Sequence, residues 1–189
     1  MLSEDARTQL RADREMLKQW LSGSGSTPLL LPRRDAYDVI AVLFPTTGSL
    51  LRFHARYALT MFTGKLPWSR VKVALYRRMG VKIGKGVYVA PWTYFDAMFP
   101  SLIELEDGCF IGGGCKLLTH EKNHAGFRIG RVRIGANSVI GAFSIVRSGV
   151  IIGSDVTTGL GSVVCKDVPD GRTALGNPAR VLRREDADA

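Results

Sequence analysis

Few residues of this sequence combine a reactive type with an informative place. There are three histidines and three cysteines. His120 and His124 share one stretch, "LLTHEKNHAGFRIG" (117–130), while His54 stands in a helix-like segment where packing or capping explains it. Imidazole is the side chain whose ordinary pKa lets it take a proton near neutral pH, so a histidine at a structural break is a candidate general base. Cys109, Cys115 and Cys165 make no CxxC pair and no zinc-type cluster. No metal site is therefore expected, and a reducing, cytoplasmic location fits the free thiols.

The 189 residues suffice for one domain with a modest appendage, and 46% apolar residues support a sizeable core. The net charge of +9 suits a phosphorylated cofactor, an anionic lipid surface or nucleic acid, and equally plain solvation by surface arginines. No nucleic-acid recognition module is visible, so nucleic acid is not an expected partner. No apolar run approaches the roughly 20 residues of a membrane span. The start, "MLSEDARTQLRADREMLKQW", mixes acids and bases and reads as neither signal nor transit peptide.

The elements that must position His120 form a repeat. "IGANSV", "IGAFSI", "VRSGVI", "IGSDVT", "TGLGSV" and "VCKDVP" run without a gap from Ile134 to Pro169. Each opens on Ile, Val or Thr, and its fifth place is Ser or Val. "IGKGVY", "VAPWTY" and "FDAMFP" (83–100) come earlier, and after a short insertion "LEDGCF", "IGGGCK" and "LLTHEK" (105–122) resume the beat. A period of six excludes amphipathic helices and predicts a short strand and a turn per repeat. Three hexads close a triangular coil, and coils stack at about 4.8 Å. The first place stacks into an apolar ladder, and the fifth takes only small side chains, which reads Cys109 and Cys115 as core residues. With the insertions set aside, the hexads of Phe95 and Leu117 fall on one face, a coil apart. Asp96 is then within reach of His120, to orient the imidazole or bind an acceptor.

Upstream, helices are predicted over 3–21, capped by Ser3, over 48–62, and over 69–79, capped by Ser69 and ended by Gly80. "SGSGSTP" (22–28) reads as a flexible linker. Residues 1–80 are thus expected to be a helical extension and cap, 81–184 the repeat domain, and 185–189 a disordered tail. An arginine-flanked amphipathic pair can also touch a membrane, so peripheral contact through 29–80, at the inner face, is a further expectation.

Over roughly 80–184 the sequence resembles the left-handed β-helix acyltransferases with hexapeptide repeats, most strongly in "IGANSVIGAFSIVRSGVIIGSDVTTGLGSVVCKDVPDGRTALGNPARVLR". Within them it looks nearest the maltose and galactoside O-acetyltransferase branch. The resemblance implies a mainly β, left-handed parallel β-helix, a homotrimer, and acyl-CoA as co-substrate, with no permanently bound cofactor. It implies that the histidine of a "T-H" pair before an extruded loop, here His120 after Thr119, is the catalytic base, and that the loop is shorter than usual. Lys166, Arg183 and more weakly Arg180 match positions near the 3′-phosphate of coenzyme A. Gly141, Ala142 and Leu160 match positions along the pantetheine arm. His124, four residues past His120, is a candidate acceptor contact. Ala90 stands near the place of an acceptor-binding asparagine, so the branch's sugar specificity does not carry over.

The expected function is acetyl transfer from acetyl-CoA, or another acyl-CoA, to a hydroxyl of a sugar or glycolipid-type acceptor, an amine acceptor remaining open. A γ-type carbonic anhydrase needs three histidines around zinc, and the repeats offer two. The alternative is a non-catalytic solenoid, a scaffold or membrane-surface adaptor.

Overall fold

The computed structural model describes residues 4–23, 27–32 and 42–182. The expected Ser3 cap, the centre of the 22–28 linker, Arg183 and the 185–189 tail lie outside the described residues.

The hexads build three parallel walls. The first stacks β2 (Lys82–Ile83), β5 (Ile103–Leu105), β10 (Val132–Ile134) and β13 (Ile151–Ile152). The second stacks β3 (Tyr88–Val89), β6 (Phe110–Ile111), β11 (Val139–Ile140), β14 (Thr157–Thr158) and β16 (Thr173–Gly176). The third stacks β4 (Tyr94–Phe95), β7 (Lys116–Leu117), β12 (Ile145–Val146) and β15 (Val163–Val164). The chain visits the walls in turn, so each coil is a triangle. Strand β17 (Ala179–Val181) turns back antiparallel on β16.

Each hexad place has a physical reason. First-place residues point inward in register: Leu105, Ile134 and Ile152 on one wall, Val89, Ile111 and Ile140 on the next, Phe95, Leu117, Val146 and Val164 on the third. None is more than 1% exposed. Second-place glycines let coils touch. A Cβ on Gly135 would lie 2.4 Å from the carbonyl carbon of Gly153 in the next coil. Fourth places take the left-handed turn, with φ of 58° at Asn137 and 55° at Asp155. Fifth-place polar groups donate to the carbonyl of a second-place glycine one coil on: Cys109 Sγ to Gly135 at 3.1 Å, Cys115 Sγ to Gly141 at 3.1 Å, Ser138 Oγ to Gly153 at 2.7 Å and Ser144 Oγ to Gly159 at 3.0 Å. That shared bond is why cysteine and serine interchange there, and both thiols are buried and free.

Three helices precede the coils among the described residues: α1 (Glu4–Ser22), α2 (Thr47–Lys65) and α3 (Ser69–Arg78). Helix α3 lies over the first coil. The Tyr76 ring stacks on Phe95 with centroids 4.3 Å apart, and Arg77 donates to the carbonyls of Ile83 and Gly84. Ser69 does not cap α3. Trp68 holds the N-cap place without a side-chain bond, and the Ser69 hydroxyl instead accepts from the Val89 amide at 2.9 Å. The tertiary partner, an amide on the flank of the solenoid, outcompetes the local one.

The amino-terminal region is not all helix. Strand β1 (Leu29–Pro32) pairs antiparallel with β9 (Gly126–Ile129), Leu29 opposite Ile129, and β9 pairs with β8 (His120–Asn123). The break in the hexads is therefore a β-hairpin turned out of the solenoid. Asn123 Oδ1 shapes its tip by accepting from the amides of Ala125 and Gly126. Leu17 of α1, Leu31, Phe99, Leu102, Phe127 and Ile129 form a second apolar cluster behind it.

Candidate active site

Strand β4 lies directly on β7, with Phe95 opposite Leu117. The residue after Phe95 and the residue three past Leu117 are thereby brought to one corner. There His120 Nδ1 and Asp96 Oδ2 are 2.6 Å apart. Asp96 is 1% exposed. Oδ1 accepts from the Met98 amide at 2.9 Å, and Oδ2 accepts from the Thr119 amide at 2.9 Å as well as from the imidazole. Burial raises the Asp96 carboxyl pKa. The hydrogen bond and charge of His120, with the two amides, outweigh it and hold the group below the ordinary carboxylate range.

An ionised carboxylate can only accept, so neutral His120 carries its hydrogen on Nδ1 and keeps the Nε2 lone pair. No hydrogen bond ties Nε2 among the described residues. The ring is held flat against Phe127 (centroids 5.2 Å, planes at 24°) and meets the edge of Phe99 at 6.4 Å. Glu121, the next residue of β8, accepts a forked pair of bonds from Arg147 of the following coil and lies 3.6 Å from Arg128. That clamp fixes the hairpin root on which His120 stands. Tyr94 sits on the outer side of β4, its phenol pushed up to about 12 by burial and by the charge of Asp96.

His120 opens β8, because the chain re-pairs as soon as it leaves the coil. His124 lies exposed in the hairpin turn, and His54 bonds only the Leu50 carbonyl of its own helix, through Nδ1 at 2.9 Å. Lys166 is exposed at the same corner as His120, just past β15. Arg180 is exposed on β17. Gly141, Ala142 and Leu160 sit at a different corner, between the second and third walls. There the Gly161 amide donates to Ala142 O and Leu160 is 80% exposed. Within one chain the third wall separates these positions from His120. Among the described residues no cluster of three or more His, Cys, Asp or Glu could hold a metal ion.

Phe99, Phe127, Glu121 and Arg147 were not singled out from the sequence. "GFRI" alternates apolar and polar residues after an "NHAG" turn, a strand-pair signal that could have found Phe127. Nothing local marked Phe99 or Arg147.

No family model matches the chain. The Bacillus subtilis (strain 168) protein named "Putative acetyltransferase YvoF" is 38% identical over 129 residues, 68% of this chain and 70% of that one. "Putative acetyltransferase SACOL2570" of Staphylococcus aureus (strain COL) is 39% identical over 113 residues, and the match spans 57% of each chain. Among solved structures, a hexapeptide-repeat-containing acetyltransferase from Vibrio cholerae aligns with a TM-score of 0.60 at 17% identity, covering 73% of this chain and 93% of that one. A galactoside acetyltransferase in complex with coenzyme A aligns with 0.58 at 23% identity, covering 73% and 82%. These likenesses show the fold, a left-handed parallel β-helix.

Proposed function

This chain belongs to the hexapeptide-repeat acyltransferases, and from that premise we propose that it transfers acetyl from acetyl-CoA to a hydroxyl of a sugar or glycolipid-type acceptor, with His120 as general base. The observation that carries the proposal is the 2.6 Å contact between His120 Nδ1 and the buried Asp96 carboxylate. It leaves Nε2 as the base. As the acceptor hydroxyl attacks the thioester carbonyl, Nε2 takes its proton, and Asp96 supports the imidazolium that forms. Collapse of the tetrahedral intermediate breaks the C–S bond and releases coenzyme A as thiolate, which needs little acid assistance. Asp96 is a positioning residue in this scheme.

The donor assignment is supported by the solved neighbours bound to acetyl-CoA and to coenzyme A. Lys166, Arg180 and Arg183 are the proposed partners of the 3′-phosphate, and backbone groups at Gly141, Ala142 and Leu160 those of the pantetheine arm. Gly141, Ala142 and Leu160 lie at a different corner of one chain from His120. A groove between subunits of a homotrimer, with two chains completing each site, is therefore the proposed assembly. His124, at the hairpin tip, is a proposed acceptor contact. A supply of acetyl-CoA makes the cytoplasm the proposed compartment.

The test is calorimetric titration with coenzyme A and with dephospho-coenzyme A, on the wild type and on Lys166→Ala/Arg183→Ala. Losing a charged phosphate contact costs about 1–3 kcal/mol, roughly 5- to 150-fold in affinity. Both the missing phosphate and the double substitution should weaken binding. Absence of binding to coenzyme A at millimolar concentration would overturn the reading. His120→Ala should bind coenzyme A normally and lose turnover.

A further inference from the structure

The charge of this protein is not spread over it. Residues 39–95 hold nine of the 26 lysines and arginines and none of the 17 acids. The other residues therefore carry 17 of each sign and are neutral, so the whole net charge of +9 resides in α2, α3 and the first coil. Seventeen acids spread evenly would place several in such a stretch.

The same segment exposes apolar surface that its fold leaves uncovered. Helix α2 buries one side, Thr60, Thr63 and Gly64, against the solenoid. On another side Leu51, Ala55, Leu59 and Phe62 follow at helical spacing, with Leu51 70% and Phe62 61% exposed. Trp68, just beyond the helix, is 65% exposed. At roughly 100° per residue, Arg52 and Lys65 fall on the two flanks of that stripe. Arg52, Lys65, Arg70 and Arg78 make no ion pair among the described residues and are all exposed, Arg52 and Lys65 beside the stripe and Arg70 two residues past Trp68. An exposed apolar stripe with cations at its edges, in a segment without acids, matches an anionic lipid surface: the side chains enter the headgroup boundary and the cations stay at the phosphates. No helix among the described residues is long and apolar enough to cross a membrane, so the contact is peripheral. A nucleic acid would use the cations and leave Leu51 and Phe62 without a role.

We propose that the outer face of α2, with Trp68 and Arg70, docks this protein on an anionic lipid bilayer. The docked face is tied to the catalytic corner. Arg56 of α2 donates through Nε to the Ala97 carbonyl at 2.7 Å and through Nη2 to that of Met98 at 3.1 Å, in the turn that carries Asp96. Docking stands whether or not His120 is a base. That the acceptor is carried on the bilayer rests on the proposed acetyl transfer.

Vesicle co-sedimentation tests it, with phosphatidylcholine alone and with phosphatidylglycerol added. Binding should require the anionic lipid and fall with added salt. Each basic residue near such a surface is worth roughly fivefold in partitioning. Arg52→Glu/Lys65→Glu/Arg70→Glu should therefore weaken binding by more than about 100-fold. Leu51→Ser/Phe62→Ser keeps every charge and should weaken it at least about tenfold. Circular-dichroism melts check that both variants fold, and the exposure of all five positions makes that the expected result. Three outcomes overturn the proposal. One is no binding to anionic vesicles at low salt. A second is vesicle binding indifferent to Leu51→Ser/Phe62→Ser, which marks a general polyanion site of the nucleic-acid kind. The third is a change of sedimentation mass in that variant without vesicle binding by the wild type, which assigns the stripe to a second copy of the chain. Coenzyme A titration of the same samples reads the acyltransferase proposal separately.

Discussion

Asp96→Asn and Asp96→Ala should separate the structural share of this carboxylate from its share in positioning His120. Asparagine keeps one acceptor oxygen. Its favoured orientation places that oxygen on the Thr119 amide and His120 Nδ1, where two bonds are kept, and turns its NH₂ toward the Met98 amide, where one is lost. In a site 1% exposed, one orphaned backbone donor costs about 1–3 kcal/mol of stability. Alanine orphans both amides, about 2–6 kcal/mol. Turnover should follow a different ladder. Asparagine still selects the Nδ1–H tautomer but supplies no negative charge for the imidazolium. A charge-assisted bond is about twice as strong as a neutral one, so the loss is about 1–2 kcal/mol, roughly 5- to 30-fold in kcat/KM. Alanine also frees the tautomer and the ring orientation, and the loss should approach the roughly 10²–10⁴-fold that a general base contributes. Thiol release from acetyl-CoA with a screened acceptor gives the rates, thermal melts give the stabilities, and ¹⁵N shifts of His120 give the tautomer. If both variants melt lower while kcat/KM and the tautomer stay at wild type, Asp96 only satisfies amides and the positioning argument is wrong.

The pH dependence of stability should carry the same signature. The folded pKa of Asp96 is held below its unfolded value, so its contribution is present above the unfolded value near about 3.9 and is lost as pH falls through the folded one. Asp96→Asn should flatten the acid side of the stability curve, and an unchanged acid slope would contradict the assigned bonds. Burial pushes the Cys109 and Cys115 thiols up to about 11, so Ellman's reagent at mildly alkaline pH should modify Cys165 alone in the folded protein and all three thiols in denaturant. Gly135→Ala should lower stability by about 3 kcal/mol, because its Cβ meets backbone that cannot move without shifting a coil. Gly48→Ala, in open space on α2, should raise it by up to about 1 kcal/mol, and chemical denaturation distinguishes the two.

The solenoid was legible because a parallel coil repeats its environment. Each buried first place and each crowded second place leaves the same mark every six residues, and counting alone put Phe95 on Leu117 and so Asp96 beside His120. The hairpin was legible as a gap, to which "GFRI" after "NHAG" adds a strand signal. Its partner strand, "LLLP", has no period of its own and pairs Leu29 with Ile129, far along the chain, so no local pattern could announce it. Ser69 misled for the opposite reason: its sequence context is that of a cap, and a distant amide claimed the hydroxyl. Of the aromatic walls of the imidazole, Phe99 stands at the fifth place of "FDAMFP", where a small side chain is the rule, and Phe127 comes from the hairpin, where the hexads lapse.

The base stands where a recurrent backbone device of the solenoid is buried. Second-place amides are spent on carbonyls of the next coil, as Leu118 N is on Val146 O. Third-place amides go to carboxylates instead at several corners: Lys85 N to Asp107, Ala136 N to Glu106 and Ser154 N to Asp170. The Thr119 amide follows the same rule, and its bond to Asp96 repeats that of Ala136 to Glu106. Asp96 differs in being 1% exposed, so the lone pairs left over from the amides meet no water. The first side chain of the outgoing hairpin, His120, takes one of them. Deleting residues 121–129 leaves the Thr119 and Met98 amides in need of the carboxylate. Asp96→Ala should therefore cost stability in the deletion as it does in the wild type. Denaturation of the four-way set measures both costs, and a cost that vanished in the deletion would show that the hairpin, not the amides, holds the carboxylate.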